Sequence, residues 1–360
     1  MNGVALDTST IAHKRRSVSS IMLHVLVALL PGIALYALLV DSRILINLLL
    51  AIFCALVFES VLVMLRKRAV LPALKDASIV LAAVLLVLSV PQSLPTWQLV
   101  FGIFILCTLG KHVFGGLGHN PFNPAMVAYA VLIVSFPLTM TQWSTHHGLL
   151  DSAIVSANVE APYLTEEGQG VLWDSLTGAT PLDRIDAIQR DAGNADASSD
   201  RDSMYAISTT QLVLTSDWVW LSVAWLFGGV YLLFKRIISW QIPVTVLSSL
   251  WWLYLIYENM ATVPVLPATA ALFSGAIMLG AFFIATDPVS AATSETGKLV
   301  YGAGIGILCF FIREFSAYPE GMAFAVLLMN MCVPLIDHAI TRNRLSPGST
   351  SSNKPDKPHP

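Results

Sequence analysis

Ten stretches of this chain are apolar over most or all of the length needed to cross a bilayer. A hydrocarbon core about 30 Å thick takes about 20 residues of helix rising about 1.5 Å each. The stretches fall at roughly 20–40, 44–65, 70–90, 97–113, 124–140, 218–234, 240–257, 264–285, 299–312 and 320–338, with the fourth, sixth and ninth the shortest. In lipid, a backbone must satisfy its own polar groups, which leaves the helix as the form such segments take. Composition agrees: 55% of residues are hydrophobic and 12% charged, against about 25% charged in soluble domains. The expected fold class is an all-α polytopic membrane protein. Cys54, Cys107, Cys309 and Cys332 all lie in apolar segments with no C-x-x-C spacing, and read as small buried apolar residues.

Lys and Arg set the orientation. With the N-terminus inside and ten alternating spans, 15 of the 20 Lys and Arg fall inside and 5 outside, and both termini are cytoplasmic. The first apolar run is too long for a cleaved leader. This divides the chain into an N-terminal membrane half (1–140), a hydrophilic loop (141–217), a C-terminal membrane half (218–340) and a disordered cytoplasmic tail (341–360). The loop holds twelve acidic residues and three arginines. An acidic segment crosses the membrane readily, so the loop is expected in the periplasm of a bacterial inner-membrane protein. The basic residues gather at the inner ends of spans, where they set topology, so no nucleic-acid partner is expected.

A faint repeat links the halves. Val70-Leu71-Pro72-Ala73 matches Val265-Leu266-Pro267-Ala268 at an offset of 195. Pro31-Gly32 precedes Gly228-Gly229 by 197, and Pro121 precedes Pro319 by 198. The pattern suggests two five-helix halves, inverted because each holds an odd number of spans, with ligand sites near their interface. Chance matches among common residues would give the same pattern.

Three segments could carry chemistry. Lys111 to Ala125 contains Gly115, Gly116, Gly118, Pro121 and Pro124, so it cannot be continuous helix. It is either an ordinary loop or a cavity lining in which Asn120 and Asn123 offer amide groups to a polar ligand. Asp287 follows a long apolar run, where a carboxylate is costly unless paired or functional. It could bind a cation, cap the next segment or orient a ligand. Asp174-Ser175-Leu176-Thr177-Gly178-Ala179-Thr180-Pro181 is, from its residues alone, a polar turn. Glu59 reads as snorkelling toward Arg66 or Lys67, Asp76 as pairing with Lys75, and Arg313, Glu314 and Glu320 as solvated surface at outer helix ends. His112 and His119 lack a third ligand at metal spacing, and no metal site is expected.

These blocks, with Ala285-Thr286-Asp287-Pro288-Val289-Ser290 and Arg313-Glu314-Phe315-Ser316-Ala317-Tyr318-Pro319-Glu320-Gly321, resemble the RnfD/NqrB family over nearly the whole chain. The length is more similar to the RnfD branch. The resemblance implies that Thr180 bears FMN through a phosphodiester made by a separate flavin transferase. Thr177, Gly178 and Ala179 would complete the attachment motif, with Asp174 in its acidic position. It implies a second, non-covalent flavin (riboflavin or FMN) near Asn120 and Asn123, and the A, B, C, E and G subunits of an Rnf (Rsx) complex as partners. In that family, electron flow linked to ferredoxin and NAD is coupled to Na⁺ or H⁺ translocation, or keeps a redox-sensing regulator reduced. Such a protein is not a complete enzyme alone. A secondary transporter without a redox centre, or a membrane scaffold, would suit the spans equally; the Thr180 motif favours the flavin carrier.

Overall fold

The computed structural model describes residues 17–116, 118–143, 217–261, 265–316 and 320–345. Among them, every regular element is helical. Helix α1 (Val18–Leu35) runs into a π-helical turn at Tyr36–Val40 and is followed by α2 (Arg43–Leu65). Next come the short α3 (Val70–Lys75), α4 (Ser78–Ser89), α5 (Thr96–Cys107) with a π turn at Thr108–His112, α6 (Pro124–Ser135) and α7 (Pro137–Met140). The second half holds α8 (Asp217–Phe234), α9 (Gln241–Met260), α10 (Ala268–Phe273), α11 (Ile277–Leu279) with a π turn at Gly280–Ile284, α12 (Glu295–Phe315) and α13 (Met322–Leu345). Five described segments are long and apolar enough to cross a membrane: Val18–Val40, Arg43–Leu65, Asp217–Phe234, Glu295–Phe315 and Met322–Arg342.

Three expected spans are interrupted. The third divides into α3 and α4 at Asp76–Ala77, the eighth into α10 and α11 at Ser274–Gly275, and the fifth stops at Phe136 before Pro137. At 12 residues, α4 is about 18 Å long and cannot cross alone. It is nonetheless the centre of the molecule: Leu81 to Leu88 are all buried. Each divided helix turns on one left-handed residue, Ala77 (φ 58°) and Gly275 (φ 60°). These stand 198 apart, the same offset as Pro121 and Pro319. The Val-Leu-Pro-Ala match does not superpose the divided helices: Val70 opens α3, whereas Val265 to Pro267 precede α10. The last helix continues to Leu345, several residues into the expected tail.

Helix packing in one half matches that in the other. In the first, α2 packs on α4 and α5, α5 on α6, and α4 on α6. In the second, α9 packs on α10 and α12, α12 on α13, and the Gly280–Ile284 turn on α13. The halves meet through α1 on α8 and α6 on α13. Small residues let the first pair approach: a Cβ on Gly228 would stand 2.2 Å from the Ala28 carbonyl oxygen, the close backbone contact typical of membrane helices.

Candidate functional site

Two cavities share one wall at one end of the first half. The inner cavity, ≈ 100 Å³, lies where α1, α4 and the start of α6 meet the segment after α11. Its polar lining is Ser78, Lys111, Asn120, Asn123, Thr286 and Asp287, and its apolar wall includes Val25, Ile79, Ala82 and Phe283. Asn120, Asn123 and Asp287, the residues singled out from sequence, therefore come together across the two halves. The second cavity, ≈ 270 Å³, opens beside the C-terminal end of α2 and is lined by Glu59, Arg66, Arg68, Asp76, His112 and His119. Lys111 lines both.

A chain of buried polar contacts separates them. Lys111 Nζ donates to Glu59 Oε1 (2.8 Å) and to Ser78 Oγ (3.1 Å). The other Glu59 oxygen meets His112 Nε2 at 2.9 Å. Ser78 donates from its hydroxyl (2.7 Å) and its N–H (2.9 Å) to Asp76 Oδ1, which ties the α3–α4 break to the same network. Arg66 donates to the His112 carbonyl (3.2 Å). Glu59 and Lys111 are 1% and 5% exposed, so their charges are sheltered and each depends on the other. Glu59 is thus not a snorkelling carboxylate, and Asp76 pairs with Ser78 rather than with Lys75.

The two asparagines differ. Asn123 accepts from the Ala125 and Met126 N–H groups at the start of α6 and donates to the Ile284 carbonyl (3.2 Å). This is an N-cap that also clips the two halves together. Asn120 donates to the Phe122 carbonyl (2.9 Å), which leaves its buried Oδ1 without a hydrogen-bond partner among the described residues. A buried orphan acceptor is costly, and a ligand donor at the cavity would satisfy it.

Asp287 makes no ion pair among the described residues. Its Oδ2 accepts from the Ser290 hydroxyl (2.8 Å) and N–H (3.3 Å), so it caps the turn after α11 as well as lining the cavity. Burial pushes its carboxyl above the usual range, against the lowering effect of the Ser290 hydroxyl and the Val289 and Ser290 N–H groups.

A counterpart arrangement occupies the other divided helix. Arg313, 5% exposed, donates to the Ala271 carbonyl (3.3 Å), the Ser274 carbonyl (3.2 Å) and Glu320 Oε1 (3.1 Å). Arg313 is therefore a buried brace rather than solvated surface. Sequence reading missed it, and missed Lys111 and Glu59 as a pair. The signal it could have used was the cost of an ionisable group among apolar residues, which requires a partner on another helix. Asp174, Thr177, Gly178, Ala179 and Thr180 lie outside the described residues.

Comparison with known proteins decides the family. Residues 5–346 match the model of the NQR2, RnfD, RnfE family. The chain belongs to that family. It is 43% identical over 345 residues to the D subunit of the ion-translocating oxidoreductase complex of Vibrio atlanticus, covering 92% of this chain and 96% of that one. It is 41% identical to the corresponding protein of Sodalis glossinidius over 92% of this chain and 96% of that one. The D subunit of Aeromonas salmonicida is also 41% identical, over 94% and 97%. The shared Lys111 wall lies within the matched region.

Proposed function

We propose that the protein is the D-type membrane subunit of an Rnf-type electron transport complex and carries flavin at two places. The observation that supports this most is the near full-length match to relatives named as the D subunit of an ion-translocating oxidoreductase complex. Thr180 is the attachment threonine for FMN, on a loop on the periplasmic side of the inner membrane, loaded by a flavin transferase. The ten spans form two inverted five-helix halves, a reading favoured by their matching packing and by the 198-residue offset between Ala77 and Gly275. The termini are cytoplasmic, and the A, B, C, E and G subunits are the partners.

The lining of the inner cavity suits one edge of a second, non-covalent flavin, whose whole ring is larger than the ≈ 100 Å³ space. A flavin ring presents apolar faces and an edge of alternating hydrogen-bond donors and acceptors. Val25, Ile79 and Phe283 offer the apolar wall. Asn120 Oδ1 offers an acceptor that has no other partner among the described residues. Lys111 offers the N–H that its bonds to Glu59 and Ser78 leave over, and Asn123 holds α6 and the Ile284 carbonyl in place. Flavin, when bound, supplies the one- and two-electron chemistry. Lys111 places a positive charge beside the cavity, and the apolar wall limits access of water. Electron flow through the complex is coupled to Na⁺ or H⁺ movement.

The test is acid precipitation of the purified protein, made in a host that expresses the transferase. Covalent flavin pellets with the chain, and non-covalent flavin stays in solution. Thr180→Val should empty the pellet alone, and Asn120→Leu should lower the soluble fraction alone. Wild-type protein without flavin in either fraction contradicts the proposal. A transporter or scaffold reading would then be preferred.

A further inference from the structure

The second cavity has features that the redox reading does not use. It lies at the end of α2, where the chain turns through 66–69 into α3. Lys111 and His112 occupy both oxygens of Glu59, so that carboxylate is not free to neutralise other cations. Asp76 Oδ1 accepts from Ser78 and its carboxylate keeps its charge, so the lining sets Arg66, Arg68 and Lys111 against Glu59 and Asp76 and is net positive. Two guanidinium groups remain at the mouth. Arg66 uses one nitrogen on the His112 carbonyl and ring, and its other N–H groups have no hydrogen-bond partner among the described residues. The Arg68 guanidinium makes no hydrogen bond or ion pair among the described residues. Next in sequence to the lining residues Arg66, Pro72 and His112 are large apolar side chains without cover: Leu65 is 74% exposed, Leu71 71% and Val113 65%.

Two guanidinium groups with N–H donors unused among the described residues, above a ≈ 270 Å³ recess, match a phosphate, which accepts from forked N–H donors. The apolar rim argues that the phosphate comes on a lipid rather than free in water, since a free ion gains nothing from Leu65, Leu71 and Val113. Basic recesses at helix ends are a recognised means of holding anionic headgroups. We propose that this cavity is a binding site for the phosphate of an anionic phospholipid in the adjoining leaflet, with Arg66 and Arg68 as its ligands and the acyl chains lying along Leu65 and Leu71. The bound lipid would brace the α2–α3 turn, and through Glu59 and Lys111 it would steady the wall of the inner cavity. The proposal stands independently of flavin at either place.

The test uses the full chain in detergent, titrated with phosphatidylglycerol or phosphatidylethanolamine and read by native mass spectrometry. Lys67→Gln is the control, because Lys67 lies between the two arginines but outside the cavity lining. Phosphatidylglycerol should bind in preference to phosphatidylethanolamine. Arg66→Gln with Arg68→Gln should weaken it by roughly 30-fold, the effect expected for two interfacial arginines together. Lys67→Gln should leave it unchanged. Should the double variant fold poorly, Arg68→Gln alone carries the test, because its side chain makes no hydrogen bond or ion pair among the described residues. Equal binding of the two lipids, or equal loss in the Lys67 control, would overturn the proposal. Full displacement by excess inorganic phosphate would show a site for free phosphate and would overturn the lipid assignment.

Discussion

Lys111 and Glu59, from different helices and 52 positions apart, meet at 2.8 Å with both side chains buried. The pair closes the wall between the two cavities and anchors the α3–α4 break through Ser78. Removing one partner strands the other charge, which costs about 3–5 kcal/mol, whereas replacing both with apolar groups costs less. Lys111→Met and Glu59→Leu should each lower the thermal midpoint in detergent sharply. The double variant should recover a substantial part of the loss. Additive losses would mean that the two side chains are held by other partners.

The left-handed residues of the two divided helices predict opposite responses. Ala77 holds φ 58° against the preference of any residue with a Cβ, a strain of about 1–2 kcal/mol. Ala77→Gly should therefore leave stability unchanged or raise it. Gly275→Ala meets both strain at φ 60° and a crowded neighbourhood, with its Cβ 2.6 Å from Arg313 Nη2. It should destabilise by about 2 kcal/mol or more, read as a fall in the unfolding midpoint.

The α1–α8 crossing depends on Gly228. A methyl there would press on the Ala28 carbonyl at 2.2 Å, and backbone cannot swing aside as a side chain can. Gly228→Ala should cost about 1–3 kcal/mol and broaden the size-exclusion peak. An exposed change on the same helix, Phe227→Ala (Phe227 is 70% exposed), should not.

Much of this was legible in the sequence, for physical reasons that can be named. Apolar length located the five described segments long enough to cross a membrane, and Gly115, Gly116 and Pro121 marked the break after α5. Asn120 and Asn123 stood out because Gly and Pro keep their segment from being helix, and Asp287 because a carboxylate after an apolar run needs a partner or a function; all three line the inner cavity. The breaks inside the third and eighth spans were not legible. The run around Ala77 has no glycine, and Ala77 is held in the left-handed region where Asp76 and Ser78 bond across it. The pairing of Glu59 with Lys111 was also hidden, because helical periodicity shows which face a residue occupies but not which helix will meet it. The 195-residue motif match misled by one turn, since Pro267 precedes α10 while Pro72 lies inside α3.

Asp287 should give a pH signature. Its folded carboxyl sits above the usual value through burial, so the folded state favours the protonated form. Its contribution to stability is therefore present at low pH and is lost as pH rises through the folded value. Asp287→Asn should be more stable than wild type near neutrality, with the difference vanishing in acid. A difference independent of pH would contradict the burial.

An electron carrier of the proposed kind must hold flavin on Thr180. The most direct measurement is a denaturing gel of the purified protein under ultraviolet light, beside Thr180→Val, both made with the flavin transferase present. A fluorescent wild-type band and a dark variant band of equal protein content are expected. A dark wild-type band, or a variant as bright as wild type, would contradict the assignment.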